Sequence, residues 1–359
     1  MPQLFEPLVL RSIVLRNRIG MAPMCTYSAK EGAPTSWHLV HYGARAIGGS
    51  ALIIVEATAI EPPGRISPAD LGLWDDAQAQ AWQPITQFIK EHGAVPCIQL
   101  GHSGRKGATG APAQKHKPLS NEEGGWETIA PSPLAYADGY SVPRELAADE
   151  LEQLVGTWTK ATRRALIAGF SAVELHIAHG FLLHEFLSPL SNKRADEYGG
   201  DLENRMRFPL MVAESVRTAW PDELPVLARI SATDWVPGGF DVPEAVEFAK
   251  RLKALGIDLI DCSSGGLLPE AQISPVELDQ DPGYQVPLAE AVKREAGVAT
   301  AAVGLLNAYG LADFTIRSEQ ADMVLLGREL LRSPNWPLKA AVILDADWEW
   351  PWQYERAKP

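Results

Sequence analysis

The 359-residue sequence predicts a single (β/α)8 TIM barrel, on three observations: eight short apolar runs recur along the chain, a stretch of helical period separates most of them, and no GxGxxG follows the first run. Without that glycine fingerprint a Rossmann sheet is the runner-up fold. The runs are RIGMAP (18–23), ALIIVEAT (51–58), VPCIQLGH (95–102), AVELHIAH (172–179), PVLARISA (225–232), LIDCSS (259–264), TAAVGL (300–305) and DMVLLGR (322–328). They are rich in Val, Ile and Leu, as parallel strands covered on both faces must be. Helical patterns follow at 38–48, 79–93, 149–169, 203–220, 243–256, 287–297, 308–320 and 336–344. Three of these end in Gly93, Gly169 and Gly256, residues suited to a left-handed C-cap.

One irregular segment, residues 103–144, is full of Gly, Pro and Ser and follows the third strand. Loops of that length are usually functional lids or disordered, and this one is expected to cap the mouth of the barrel, where strand C-termini carry the chemistry. With no internal repeat beyond the barrel units, residues 1–359 are read as one domain.

The net charge of −13 and pI near 5.1 argue against a protein that reads phosphate backbones or anionic membranes, so any anion site must be local. The opening MPQLFEPLVLRS lacks a basic segment before a long apolar run, and a cytoplasmic setting is expected. Cys25, Cys97 and Cys262 are odd in number and lack CxxC spacing, so neither a disulfide framework nor a structural zinc site is expected.

The polar residues at strand ends form the candidate site. Gly304, Gly327 and Arg328 follow the last two strands, where barrels often bind phosphate through exposed backbone N–H groups; the bland reading is two strand-end glycines and a surface arginine. The fourth strand ends in VELHIAHGFLLHEF (173–186). Strand side chains alternate, so His176 and His179 converge only if the strand ends between them and the chain turns. Two imidazoles could bind a metal, with Glu56 or Glu174 as further ligands, or serve as core histidines; two donors for one substrate oxygen is the preferred reading.

The motifs APMCTY (22–27), EATAIEPPGRIS (56–67), IQLGHSGRK (98–106), GGWETIAPSP (124–133), SPLSNKRADEYGGDLENRMRFP (188–209), ARISATDW (228–235), AVGL (302–305) and GRELLRSPNW (327–336) together resemble the old yellow enzymes, in the thermophilic-like class of FMN-dependent ene-reductases and NADPH dehydrogenases. The resemblance spans nearly the whole chain and implies FMN as cofactor with NADPH or NADH as reductant. It places Ala22, Pro23, Met24, Cys25, Ala57, Gln99 and Arg229 along the flavin ring and ribityl chain, and Gly304, Gly327 and Arg328 at the phosphate. Arg229 would stabilise negative charge on the reduced ring, and Cys25 would modulate its potential. His176 and His179 would hold the carbonyl oxygen of an α,β-unsaturated substrate, so that hydride from flavin N5 attacks the β-carbon. Tyr27 and Lys106 would line the substrate.

Phe181 is a departure, because the family usually has a tyrosine there whose hydroxyl protonates the α-carbon. The resemblance also implies that the tail 345–359 is an interface element whose Arg356 enters a neighbouring subunit's site, in a homodimer or dimer-built homotetramer; its alternative is a tail docked on its own barrel. Different-class readings are a metal-dependent barrel hydrolase built on the histidine pair and a catalytically weak flavin redox sensor.

Overall fold

A computed structural model describes residues 2–269 and 281–359. Eight parallel strands close into a barrel: β1 (Ile19–Met21), β2 (Leu52–Ala59), β3 (Val95–Gly101), β4 (Ala172–Ile177), β5 (Val226–Ser231), β6 (Leu259–Ser263), β7 (Ala299–Val303) and β8 (Met323–Leu326). The seam closes where β1 pairs with β8 on one side and β2 on the other, through Ile19↔Val324 and Gly20↔Leu52. The helices of the outer ring are α1 (Ser36–Ile47), α2 (Asp76–Glu91), α3 (Ala148–Ile167), α4 (Leu202–Ala219), α5 (Val242–Ala254), α6 (Val286–Ala296), α7 (Tyr309–Arg317) and α8 (Trp336–Ile343). Each strand and helix foreseen in the sequence is present.

Local chemistry fixes the helix ends. Asp75, Asp201 and Asp241 accept hydrogen bonds from the first-turn amides of Ala77, Asn204 and Glu244 at 2.6, 2.9 and 3.1 Å. Gly93, Gly169 and Gly256 take φ of 72°, 87° and 90°, the left-handed stop that their position foreshadowed.

Alternation along the strands sorts the interior into tiers. Cys97, Ala172, Leu227 and Leu259 form an apolar inner layer with Leu52, Ala301 and Met323. Two residues further along the same strands come Gln99, Glu174, Arg229 and Asp261, all buried, with Gln99 opposite Glu174 and Arg229 opposite Asp261 in register. A polar tier thus lies directly above an apolar one. Below both, an antiparallel hairpin of Leu8–Leu10 and Ile13–Leu15 presses Leu10 and Leu15 into the apolar layer and closes the floor. Burying each of those leucines contributes roughly 1.5–3 kcal/mol.

This hairpin was not foreseen in the sequence, and neither were the short helices Leu182–Leu187 and Arg328–Arg332. Each is too short to display a periodicity of its own. The 103–144 excursion leaves the C-terminal end of β3. It is built of 3-10 turns at Gly104–Lys106, Pro112–Gln114 and Asn121–Glu123, with Ile129–Ala130 paired to Arg144–Glu145. Trp126 Nε1 donates to Pro63 O at 2.9 Å and Arg105 Nη2 to Leu267 O at 2.9 Å, pinning it to the mouth.

Candidate active site

Strand β4 ends at Ile177, and His179 takes φ of +59°, so the chain turns between the two histidines and both rings come to the mouth. The turn is held from three sides. Its amide at His179 donates to Ser231 Oγ at 2.9 Å, that at Gly180 donates to His184 Nδ1 at 2.9 Å, and His184 Nε2 lies 3.1 Å from Asp234 Oδ1. Gly180 is required, since a Cβ there would fall 2.4 Å from Gly266 O. The His176 and His179 ring centroids are 5.2 Å apart at 84°. Ala178 N donates to His176 Nδ1 at 3.3 Å, which leaves Nε2 as that ring's N–H; His179 Nε2 meets Ser263 Oγ at 2.7 Å. Burial, then Arg229, holds both imidazoles well below the usual histidine range, so near pH 7 they are neutral donors.

The metal reading finds no support in this geometry: among the described residues no group of three or more His, Cys, Asp or Glu could hold a metal ion. Glu174 is engaged by Gln99 Nε2 at 2.8 Å within the barrel. Glu56 clamps the loop after β1, accepting from Thr26 N and Thr26 Oγ1 at 2.7 Å each and from Tyr42 OH at 3.0 Å. The register shift between Val55 and Thr58 makes room for Glu56 and Ala57 at this point of β2. The clamped loop carries Ala22, Pro23, Met24, Cys25 and Tyr27. Burial, with Asp70 and Glu56 nearby, pushes the free Cys25 thiol up, so it is a thiol rather than a thiolate. Tyr27 takes φ of +52° and packs its ring 5.5 Å from that of His116.

Phe181 lies beside the pair, its ring centroid 4.6 Å from that of His176. Lys106 is tethered at the mouth: its Nζ donates to His179 O at 2.8 Å and Gly266 O at 2.9 Å. Arg356 stands elsewhere, exposed, in the tail turn Trp352–Ala357. That tail runs along Arg16, Gly49, Glu91 and His92 at the N-terminal side of the strands, so within one chain Arg356 is separated from the histidines by the barrel.

Residues 3–346 match the NADH:flavin oxidoreductase / NADH oxidase family. Over 355 residues the chain is 45% identical to the NADPH dehydrogenase of Geobacillus thermodenitrificans strain NG80-2, covering 98% of each. It is 43% identical over 357 residues to the NADPH dehydrogenase of Bacillus cytotoxicus, covering 99% of this chain and 96% of that one. The chain belongs to this family. Solved structures agree: the old yellow enzyme homologue from Zymomonas mobilis superposes with a TM-score of 0.78 at 29% identity, covering 97% of this chain and 94% of that one. Morphinone reductase in complex with tetrahydroNAD gives 0.78 at 28% identity, covering 98% and 93%.

As a member of the old yellow enzyme family it is an FMN-dependent oxidoreductase with a nicotinamide reductant, and its interior fits that flavin. A cavity of about 240 Å³ lies over β7 and β8, lined by Arg229, Ser263, Gln285, Gly304, Gly327 and Arg328. A Cβ at Gly304, whose φ is 115°, would fall 2.7 Å from the Tyr284 ring and narrow it. Arg229 Nε makes no hydrogen bond, although it lies 3.1 Å from Asp261 Oδ2 in an ion pair, which leaves a buried cation with donors in reserve at the cavity's inner end. Burial pushes the Asp261 carboxyl up to about 6, with Arg229 opposing.

Ser231, Ser263 and Gln285 were missed in the sequence. For the two serines the signal was present, since each sits two residues beyond an inward Arg229 or Asp261. Gln285, which donates to Val303 O at 2.8 Å, precedes a helix and has no such pattern.

Proposed function

We propose that this enzyme uses NADPH to reduce the activated C=C bond of α,β-unsaturated carbonyl compounds. The observation that carries the reading is the edge-to-face pair of neutral histidines that the turn after β4 brings together. Bound FMN supplies hydride transfer, from the nicotinamide and on to the acceptor. The protein's own part is to grip the carbonyl oxygen with His176 and His179, which draws electron density from the double bond. Arg229 and Gln99 would hold the flavin edge, Gly304, Gly327 and Arg328 its phosphate, and Ala22 to Cys25 with Ala57 its ring. The tail would carry Arg356 into the site of a second copy, in a homodimer or a tetramer built from dimers, and the enzyme would work in the cytoplasm.

Phe181 favours a second reading, since it brings no proton to the α-carbon: acceptors that need none, such as quinones, nitro compounds or oxygen, or the reverse desaturation of a ketone. The deciding experiment is anaerobic. The holoenzyme is reduced with NADPH, mixed with cyclohexenone, and the return of flavin absorbance is followed. Rapid reoxidation supports ene reduction; reoxidation by a quinone alone supports the second reading.

A further inference from the structure

Reduction of an enone needs a proton at the α-carbon as well as a hydride at the β-carbon, and the side chains around the histidine pair differ in their ability to give one. The Phe181 ring has none. Both imidazoles are neutral and committed to the carbonyl oxygen. Tyr27 has its hydroxyl acidity suppressed by burial and by Cys25, Asp70 and Glu56. Lys106 remains.

Its Nζ lies 4.6 Å from the Tyr136 ring centroid and 5.4 Å from that of Phe181, whose ring in turn meets that of His176. The carbonyls of His179 and Gly266 take two of its N–H groups. A neutral amine still has two N–H groups, so both bonds survive loss of the third proton, and the side chain stays in place through the cycle. This is the geometry of a donor that can be emptied and refilled without moving.

We infer that Lys106 is the proton donor of this site, delivering an N–H proton to the α-carbon of the bound enone. The inference rests on the ene-reductase reading above. Hydride addition at the β-carbon moves the π pair to the enolate oxygen held by His176 and His179; collapse of that enolate forms the α C–H bond as the Lys106 N–H bond breaks. The amine then regains its proton from water before the next turnover.

Burial pushes the Lys106 ammonium down to about 8, with Glu185 raising and Arg105 lowering it, which brings it within range of proton transfer near neutrality. The charged and titratable groups facing it are Glu185, Arg105, His176, His179 and Tyr136. Glu185 is itself pushed up to about 8 by burial, so any alkaline limb must be assigned by substitution and not by its position.

The test uses NADPH-reduced holoenzyme, reoxidised across a pH series by cyclohexenone, which needs an α-proton, and by a quinone, which does not. Lys106→Met should slow enone reoxidation on the order of 10²–10⁴-fold relative to the quinone rate. Lys106→Arg keeps the charge but not the acid, so it should show the same split and lose the alkaline limb seen in the parent. Nitrogen-15 lysine spectra of the parent holoenzyme should show one ammonium, absent in Lys106→Met, titrating near the kinetic limb. Equal losses on both acceptors, rescue by Lys106→Arg, or an ammonium that titrates at the ordinary lysine value would each overturn the inference alone. A parent reoxidised by the quinone and never by cyclohexenone would overturn the ene-reductase reading, and this inference with it.

Discussion

His176 and His179 stand with their rings edge to face at 5.2 Å because one lies on the strand and the other on a left-handed turn residue just past its end. The two rings are anchored differently, His176 through a backbone amide at Nδ1 and His179 through Ser263 at Nε2. Losing either donor to a substrate oxygen in this buried setting costs about 1–3 kcal/mol. His176→Ala and His179→Ala should therefore each lower kcat/KM for cyclohexenone by roughly 5–150-fold. Steady-state rates with a saturating reductant would check this; a change below twofold in both would remove the pair from the site.

Phe181→Tyr places a phenol where the ring now meets His176 and Lys106. Enone reoxidation of the reduced flavin should rise about tenfold or more, while quinone reoxidation stays unchanged. In the Lys106→Met background the same substitution should restore enone turnover. Stopped-flow absorbance resolves both.

Acid should destabilise the fold through the first helix. Burial, reinforced by Arg45, lowers the His41 imidazole to about 3, and burial lowers His38 to about 4. Both folded values lie below the free histidine value of about 6.5, so the unfolded chain binds protons that the native state refuses. The stability these residues contribute is present above pH ~6.5 and is lost as pH falls towards 4, at up to about 1.4 kcal/mol per pH unit for one such group. His41→Gln should flatten the fall of Tm between pH 6.5 and 4. An unchanged slope by calorimetry would contradict it.

The tail exposes Trp352 and Tyr354 beside Arg356, a composition suited to an interface. If the tail joins copies as proposed, removing residues 346–359 should lower the mass measured by light scattering and reduce enone turnover, since no Arg356 would be left to enter a neighbouring site. Arg356→Ala alone should spare the assembly and affect only substrate binding.

Much of this was legible in the sequence because barrel strands buried on both faces leave apolar runs that neighbouring helices punctuate. The turn at His179 followed from the need to bring two alternating residues together, whereas the polar tier, with Asp261 opposite Arg229, was not read from the sequence. Lys106 was harder. Its neighbours Gly104 and Gly107 suggest an open loop, and only the carbonyls of His179 and Gly266, 73 and 160 residues away, turn it into a tethered group. Non-local partners of this kind leave no trace in a local pattern. The floor hairpin was hidden for a related reason: Leu10 and Leu15 read as scattered apolar residues until the barrel above gives them something to fill.

That hairpin governs more than packing. With Leu10 and Leu15 sealing one end of the barrel, the proposed site opens at the other, and on that reading reductant and acceptor would both use it. They must take turns. Each departs before the other enters, and each in excess blocks the other. Initial-rate plots at several fixed NADPH concentrations should run parallel, the mark of an enzyme that stores its electrons between visitors.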